Sequence, residues 1–345
     1  MKLVMNETPA KGPRIHSDSE ANGFREELDL ILSHWIPNQT PLKFKADTST
    51  AICQKFIQDP QGCFEDVAVS HVDTDGTLAA LTLLHPEDAK KHQNLLESMA
   101  LMGDFNAGQD YETSRWYHAL RQLIFVELFR LEPLNQMLTA IKTLKGWLDA
   151  GSPPIQNDFE QIWAWHQVVE EAIAQNEGIH IQKINPHLYQ IEIKRSFSEK
   201  YPDKSLSSKS RFDAGLRLDE LLPRQVRNRH TPGAIRLISL ELENGYSHEI
   251  LLPDSAWADT PTIWKPPLNF HDTLHNSFHL APSAFRDSLT RIQGVDETLQ
   301  ILEDLSPFAQ GSGFGFPCVA ANRLDGKITA SRLTPQEILK LLAVE

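Results

Sequence analysis

The run Val67-Ala68-Val69-Ser70-His71-Val72-Asp73-Thr74-Asp75-Gly76 packs one imidazole and two carboxylates into a few consecutive residues. Its apolar start reads as a short buried strand, and Thr77-Leu78-Ala79-Ala80-Leu81 reads as the start of a helix. His71, Asp73 and Asp75 are therefore expected at the carboxyl end of a strand, where open α/β sheets place their active sites. Alternate spacing points the three side chains the same way while the chain stays extended, and Gly76 lets the backbone turn into the helix. Imidazole with carboxylate suits manganese, iron or zinc, whereas carboxylates alone suit magnesium. A cation held there would lower the pKa of a bound water and polarise the bond under attack, with His71, Asp73 and Asp75 as the catalytic set. Strand-to-helix turns also carry Asp and Thr as plain caps, and Asp75 or Thr77 could serve as one. A cap alone leaves His71 and Asp73 together unexplained.

The elements that must position these groups follow from apolar spacing. Phe24, Leu28, Ile31 and Leu32 predict a helix from Phe24 to Trp35, and Leu42 to Ala46 alternates like a strand. Asp47-Thr48-Ser49-Thr50 then leads into a helix from Ala51 to Ile57. Asp47 thus stands at a second strand end and is a candidate further ligand, or a group that orients His71. A helix from Glu87 to Leu101 closes at Gly103, with Asp104 next. From Ser114 to Glu177 three sets of helically spaced apolar residues predict a three-helix block, on which His118 and His166 read as core imidazoles. Ile179–Ile181, Leu188–Ile193, Ile235–Leu240 and His248–Leu252 are strand-like, the last two joined through the hairpin signal Asn244-Gly245. Thr334-Pro335-Gln336-Glu337 caps a terminal helix. The expected class is α/β, a parallel or mixed sheet with a helical insertion, followed by a smaller α+β part. The expected organisation is a loose polar arm over 1–22, a metal-site domain over 23–178 with the helical block at 114–177, and a second part over 179–345.

The segment 67–84 resembles the first motif of the DHH-type phosphoesterases, an apolar strand followed by His-x-Asp-x-Asp-Gly and a helix of small residues. The resemblance implies that His71, Asp73 and Asp75 help to hold two divalent cations, commonly manganese, and that Asp104 in Met102-Gly103-Asp104-Phe105 bridges them. The chain carries neither an Asp-His-His tripeptide nor the Gly-Gly-His of that family's second domain. A longer pattern covers Ser33-His34-Trp35, Asn38 to Pro41, Ala46 to Thr50, Leu83 to Glu87 and Gly103 to Phe105. It is similar to a bacterial family of uncharacterised proteins.

Composition narrows the function classes. The 345 residues are 41% apolar and 23% charged, with a formal net charge of -13. That acidity argues against a nucleic-acid binder, which needs a basic face. The basic run Arg224-Gln-Val-Arg227-Asn-Arg229-His230 is expected to be a solvated loop. No stretch approaches a membrane span or a signal core, and Cys53, Cys63 and Cys318 are scattered, so a cytoplasmic protein with buried thiols is expected. His271, His275 and His279 are spaced four apart and could pair on a metal if helical, while Gly311 to Gly315 reads as a plain glycine-rich loop. The leading expectation is a divalent-metal-dependent hydrolase acting on a small phosphoester or related anionic metabolite, with manganese first and iron or zinc as alternatives. Its ligands would be His71, Asp73, Asp75, Asp104 and Asp47. A non-haem iron or manganese oxygenase is the second reading. The third is a non-catalytic binding module using the Trp-rich region 255–285 as a contact surface, for which Trp257 and Trp264 would be exposed. No membrane partner is expected, and the oligomeric state is open, a homodimer being one option.

Overall fold

The computed structural model describes residues 1–19, 23–36, 38–108, 110–200, 218–264, 283–301, 318–324 and 327–342. The histidines at 271, 275 and 279 and the glycine-rich stretch 311–315 lie outside them. The fold is mixed α/β and divides into two units, Met1–Phe159 with Ala258–Ile263, and Glu160–Trp257 with Trp264–Glu345.

The first unit is built on a four-stranded, all-parallel sheet in the order β1-β4-β2-β3. Its strands are β1 (Lys2–Met5), β2 (Arg14–Ser17), β3 (Leu30–Leu32) and β4 (Asp66–Val69). The amino-terminal residues are therefore part of the sheet and not a loose arm, and β2 is buried at every position. Residues 30–32 form a strand where helical spacing predicted a helix. Three consecutive apolar residues suit a parallel strand covered on both faces, which does not alternate. The segment expected as a strand at 42–46 is a single tight turn at Leu42–Phe44.

Helices α1 (Ser49–Gln58), α2 (Thr74–Leu84), α3 (Pro86–Lys91), α4 (Gln93–Phe105), α5 (Tyr111–Gln122) and α6 (Pro133–Ala150) complete the unit. α1 is capped by Thr48, whose side chain accepts from the Ala51 amide. α2 is buried on all sides from Thr74 to Leu83, as its run of Leu, Ala and Thr requires. The chain breaks at His92 between α3 and α4, and α4 runs through Gly103 to a left-handed cap at Asn106. Asp104 thus lies in its last turn. One core joins the sheet to α1, α2, α4 and α6 through Ile15, Leu32, Ile52, Val67, Leu78, Leu96 and Leu144.

In the second unit, α7 (Asn157–Gln175) carries Trp165, Val169 and Ala172 into a core with β5 (Ile179–Asn185), β6 (Leu188–Ile193) and β7 (Ile235–Leu242). That packing places nearly all of the third helix of the predicted block with the strands that follow it. α8 (Arg195–Ser198), α9 (Leu218–Leu221) and α10 (Arg224–His230) come between β6 and β7. β8 (Gly245–Leu251), α11 (Ser283–Val295), β9 (Leu299–Ile301), β10 (Cys318–Leu324), β11 (Lys327–Ile328) and α12 (Pro335–Leu341) follow. The sheet is mixed, in the order β11-β10-β8-β7-β6-β5 with β9 beside β10. β7 and β8 form the predicted hairpin, and the box around Thr334 and Glu337 caps α12. Trp257 and Trp264 are buried, which removes them as an exposed contact surface. Cys53 and Cys318 are buried, but Cys63 is exposed. Among the described residues no helix is long and apolar enough to cross a membrane.

Candidate metal centre

Three neighbouring parallel strands of the first unit end at one place, and each delivers ligand-type side chains there. β2 stops at Ser17, and Asp18 turns into the left-handed region at φ 47, a conformation that Asp tolerates better than most residues. Its Oδ1 accepts from Trp35 Nε1 and from Ser49 Oγ, each at 2.9 Å. Its Oδ2 is buried and accepts no hydrogen bond among the described residues.

β3 stops at Leu32, two residues before His34. The His34 ring is fully buried, and Nδ1 lies 2.6 Å from the carbonyl oxygen of Asp47. A carbonyl can only accept, so Nδ1 carries the proton and donates it there. That bond aims Nε2 at three carboxylates: Asp104 Oδ2 at 3.2 Å, Asp18 Oδ1 at 3.6 Å and Asp75 Oδ2 at 3.7 Å. Histidine ligands to metals are commonly held this way, by a carbonyl on the ring nitrogen that faces away from the metal.

β4 ends at Val69, so His71 and Asp73 sit in the loop beyond it and Asp75 in the first turn of α2. They are not on one extended face, as the alternation predicted. Asp73 caps α2 by accepting from the Gly76 amide at 2.8 Å, and its other oxygen lies 2.8 Å from His71 Nε2. The Trp35 ring lies against His71, centroids 5.2 Å apart. The fully buried Asp75 accepts from the amides of Ser49 at 2.7 Å and Thr50 at 2.9 Å. It therefore satisfies the buried first amides of α1, which have no partner within the helix, while standing in the cluster. Asp104 reaches the cluster because Gly103 lets α4 approach α2. A Cβ on Gly103 would come within 2.7 Å of Thr74 Cβ.

The result is two overlapping triads, Asp18–His34–Asp75 and Asp18–His71–Asp73, within each of which one ligand atom per residue lies no more than 4.8 Å from the others. Asp18 belongs to both. The first triad is buried; His71 and Asp73, at 29% and 28% side-chain exposure, leave the second half open to solvent. Of the expected ligands, His71, Asp73, Asp75 and Asp104 converge. The Asp47 carboxylate does not: it turns away to accept from the amide and hydroxyl of Thr262, and only its main-chain carbonyl serves the site. Asp18 and His34 are not among the expected ligands: Asp18 falls in the expected arm, and His34 enters the sequence reading only within Ser33-His34-Trp35.

Four carboxylates around two imidazoles leave the cluster short of positive charge. Burial pushes Asp104 well above the usual carboxylate range, and the charges of Asp75, Asp73 and Asp18 push it further. Burial and Asp18 raise Asp75 to about 6. Burial opposes the charge on His71, but Asp73, Asp18 and Asp75 outweigh it and hold the imidazolium up to about 9. Burial likewise opposes the charge on His34, and Asp18 and Asp75 raise its pKa nonetheless. Asp18 is itself raised by burial but brought below the usual range by His34 and His71.

Residues 8–142 match a family of unknown function, DUF6687. The matched segment holds all six clustered residues. No curated protein and no solved structure matches the chain.

Proposed function

We propose that the first unit is a divalent-metal-dependent hydrolase acting on a small phosphoester or related anionic metabolite. The observation that carries the reading is the convergence of His34 Nε2 on buried carboxylate oxygens, Asp104 Oδ2 at 3.2 Å and Asp18 Oδ1 at 3.6 Å, beside an Asp18 Oδ2 that accepts no hydrogen bond among the described residues. Leaving carboxylate oxygens buried together is costly unless cations or protons neutralise them. A cation bound there would supply that charge and, in addition, an activated water. Asp18, His34, Asp75 and Asp104 would hold the inner position. Asp18, His71 and Asp73 would hold the outer one, on the side that a substrate meets. The donor set of imidazole and carboxylate suits manganese, iron or zinc, with manganese first on the resemblance of the His-x-Asp-x-Asp-Gly motif to DHH-type phosphoesterases. A 2-His-1-carboxylate oxygenase site needs two imidazoles and one carboxylate on one iron. Each triad offers the reverse ratio, which favours the hydrolytic reading.

The test is hydrolysis of an aryl phosphomonoester and an aryl phosphodiester by chelator-stripped protein, resupplied in turn with manganese, zinc and iron(II). Activity restored by a cation and lost in Asp18→Asn and Asp73→Asn supports the proposal. Metal-loaded protein that hydrolyses neither compound removes the hydrolase but leaves the metal centre. Turnover that survives both substitutions removes this site as its source.

A further inference from the structure

The basic run of the second unit is a short helix, α10, and not a solvated loop. Two of its arginines, Arg224 and Arg227, face Asp254 together with Arg236 of β7. Arg227 Nη2 donates to Asp254 Oδ2 at 3.2 Å, Arg236 Nη1 lies 3.6 Å from the same oxygen, and Arg224 Nη1 lies 3.9 Å from Oδ1. Arg227 and Arg236 are 0% and 1% exposed. Among the described residues Asp254 is the one carboxylate within ion-pair reach of those two, so a buried positive charge is left over.

The two guanidiniums are treated differently by their surroundings. Arg236 is saturated with neutral acceptors: Thr231 Oγ1 and the carbonyl oxygens of Thr231 and Leu252, together with Asn228 Oδ1. It braces α10 against β7. Arg227 has only Asp254; its Nε and Nη1 are buried and reach no acceptor among the described residues. Buried guanidinium donors without acceptors are among the costlier arrangements a protein can hold. Arg224, with 29% of its side chain exposed, joins this buried pair to the surface.

We infer that Arg227, flanked by Arg224 and Arg236, is a binding site for an oxyanion, a phosphate or carboxylate group that accepts from Arg227 Nε or Nη1 and is contacted by Arg224 from the solvent side. Guanidinium groups match both chemistries, and their charge-assisted bonds are the strong ones. The oxyanion site shares no residue with the metal centre.

The experiment is equilibrium dialysis of the full chain against radiolabelled inorganic phosphate in a chelating buffer, so that no cation in the first unit captures the anion. Saturable binding is expected, weakened at least about tenfold in Arg227→Gln and in Arg224→Gln by the loss of a charge-assisted contact. Displacement by sulfate but not citrate assigns a tetrahedral oxyanion, and displacement by citrate assigns a carboxylate; either outcome supports the site. Thermal melts check that the variants are folded. If Arg227→Gln is not folded, Arg224→Gln, at the partly exposed position, decides. Absence of saturable phosphate binding together with no rise in melting temperature on adding citrate overturns the inference. Phosphate binding that both variants retain at full strength overturns it as well.

Discussion

Substituting Gly76 by Ala should separate metal binding from folding. Gly76 is the third residue of α2, in its first turn. Alanine at a helical position is favoured over glycine by about 0.5–1 kcal/mol. The added Cβ, however, would lie 2.9 Å from Asp18 Oδ2 and 3.1 Å from Asp73 Oδ1. Ordinary contact begins near 3.4 Å, so the Asp18 oxygen must retreat by about half an ångström, against a tolerance near 0.2 Å for metal–ligand distances. It has little freedom to do so, because Trp35 and Ser49 hold the other oxygen of the same carboxylate. The expected loss is about 10- to 100-fold in manganese affinity, or about 1.4–2.7 kcal/mol. In chelator the helical gain and the contact nearly cancel, and the variant should melt close to wild type. The assay is a manganese titration followed by calorimetry, with thermal melts in chelator and in manganese. Wild-type affinity in Gly76→Ala, with an equal manganese-induced rise in melting temperature, would refute the reasoning.

Gly146 lies inside α6, and a Cβ there meets nothing within 4 Å; Gly146→Ala should raise stability by about 0.5–1 kcal/mol in denaturant titration without changing metal affinity. Asp47→Ala removes the acceptor for the Thr262 amide and hydroxyl, costing about 1 kcal/mol, yet leaves the carbonyl that holds His34, so metal content measured by elemental analysis should stay at the wild-type level. In the second unit, burial and then Arg229 lower the His166 pKa from 6.5 to about 4. The unfolded chain therefore takes up this proton first. Stability is fully present above pH 6.5 and declines as the pH falls towards 4, by about 3 kcal/mol. His166→Gln should flatten the urea-unfolding profile across that window, and an unchanged slope would show that His166 is not the titrating group.

What the residue pattern revealed and what it hid have physical causes. His71, Asp73 and Asp75 stood out because a short apolar strand, a turn and a buried helix surround them, whereas Asp104 entered only through the resemblance to the DHH-type motif. Asp18 and His34 were hidden by their strands. β2 spells Arg14-Ile15-His16-Ser17, which no hydrophobic pattern marks as buried; His16 survives inside because Asn6 Oδ1 lies 3.1 Å from one ring nitrogen and Asp29 Oδ2 lies 3.5 Å from the other. Arg14 likewise donates to the Thr8 carbonyl and faces Asp66. Tertiary pairing thus makes a central strand from polar residues. β3 is short and wholly apolar, and its neighbours Phe24 and Leu28 imitate a helical period. A usable signal was present: Asp18 and His34 each follow a short segment that could be extended, just as His71 follows β4. Asp47 misled because cap, carbonyl acceptor and ligand share one sequence signature; only the direction of its carboxylate, towards Thr262, separates them.

The central claim is that carboxylates and imidazoles from three strand ends hold a cation. The most direct measurement is elemental analysis of full-length protein purified without chelator or nickel resin, beside an Asp18→Asn/His34→Ala variant whose folding is verified by circular dichroism. The account predicts stoichiometric manganese, iron or zinc in the wild type and its loss in the variant. Equal, substoichiometric metal in both, unchanged after dialysis against each cation, would contradict it.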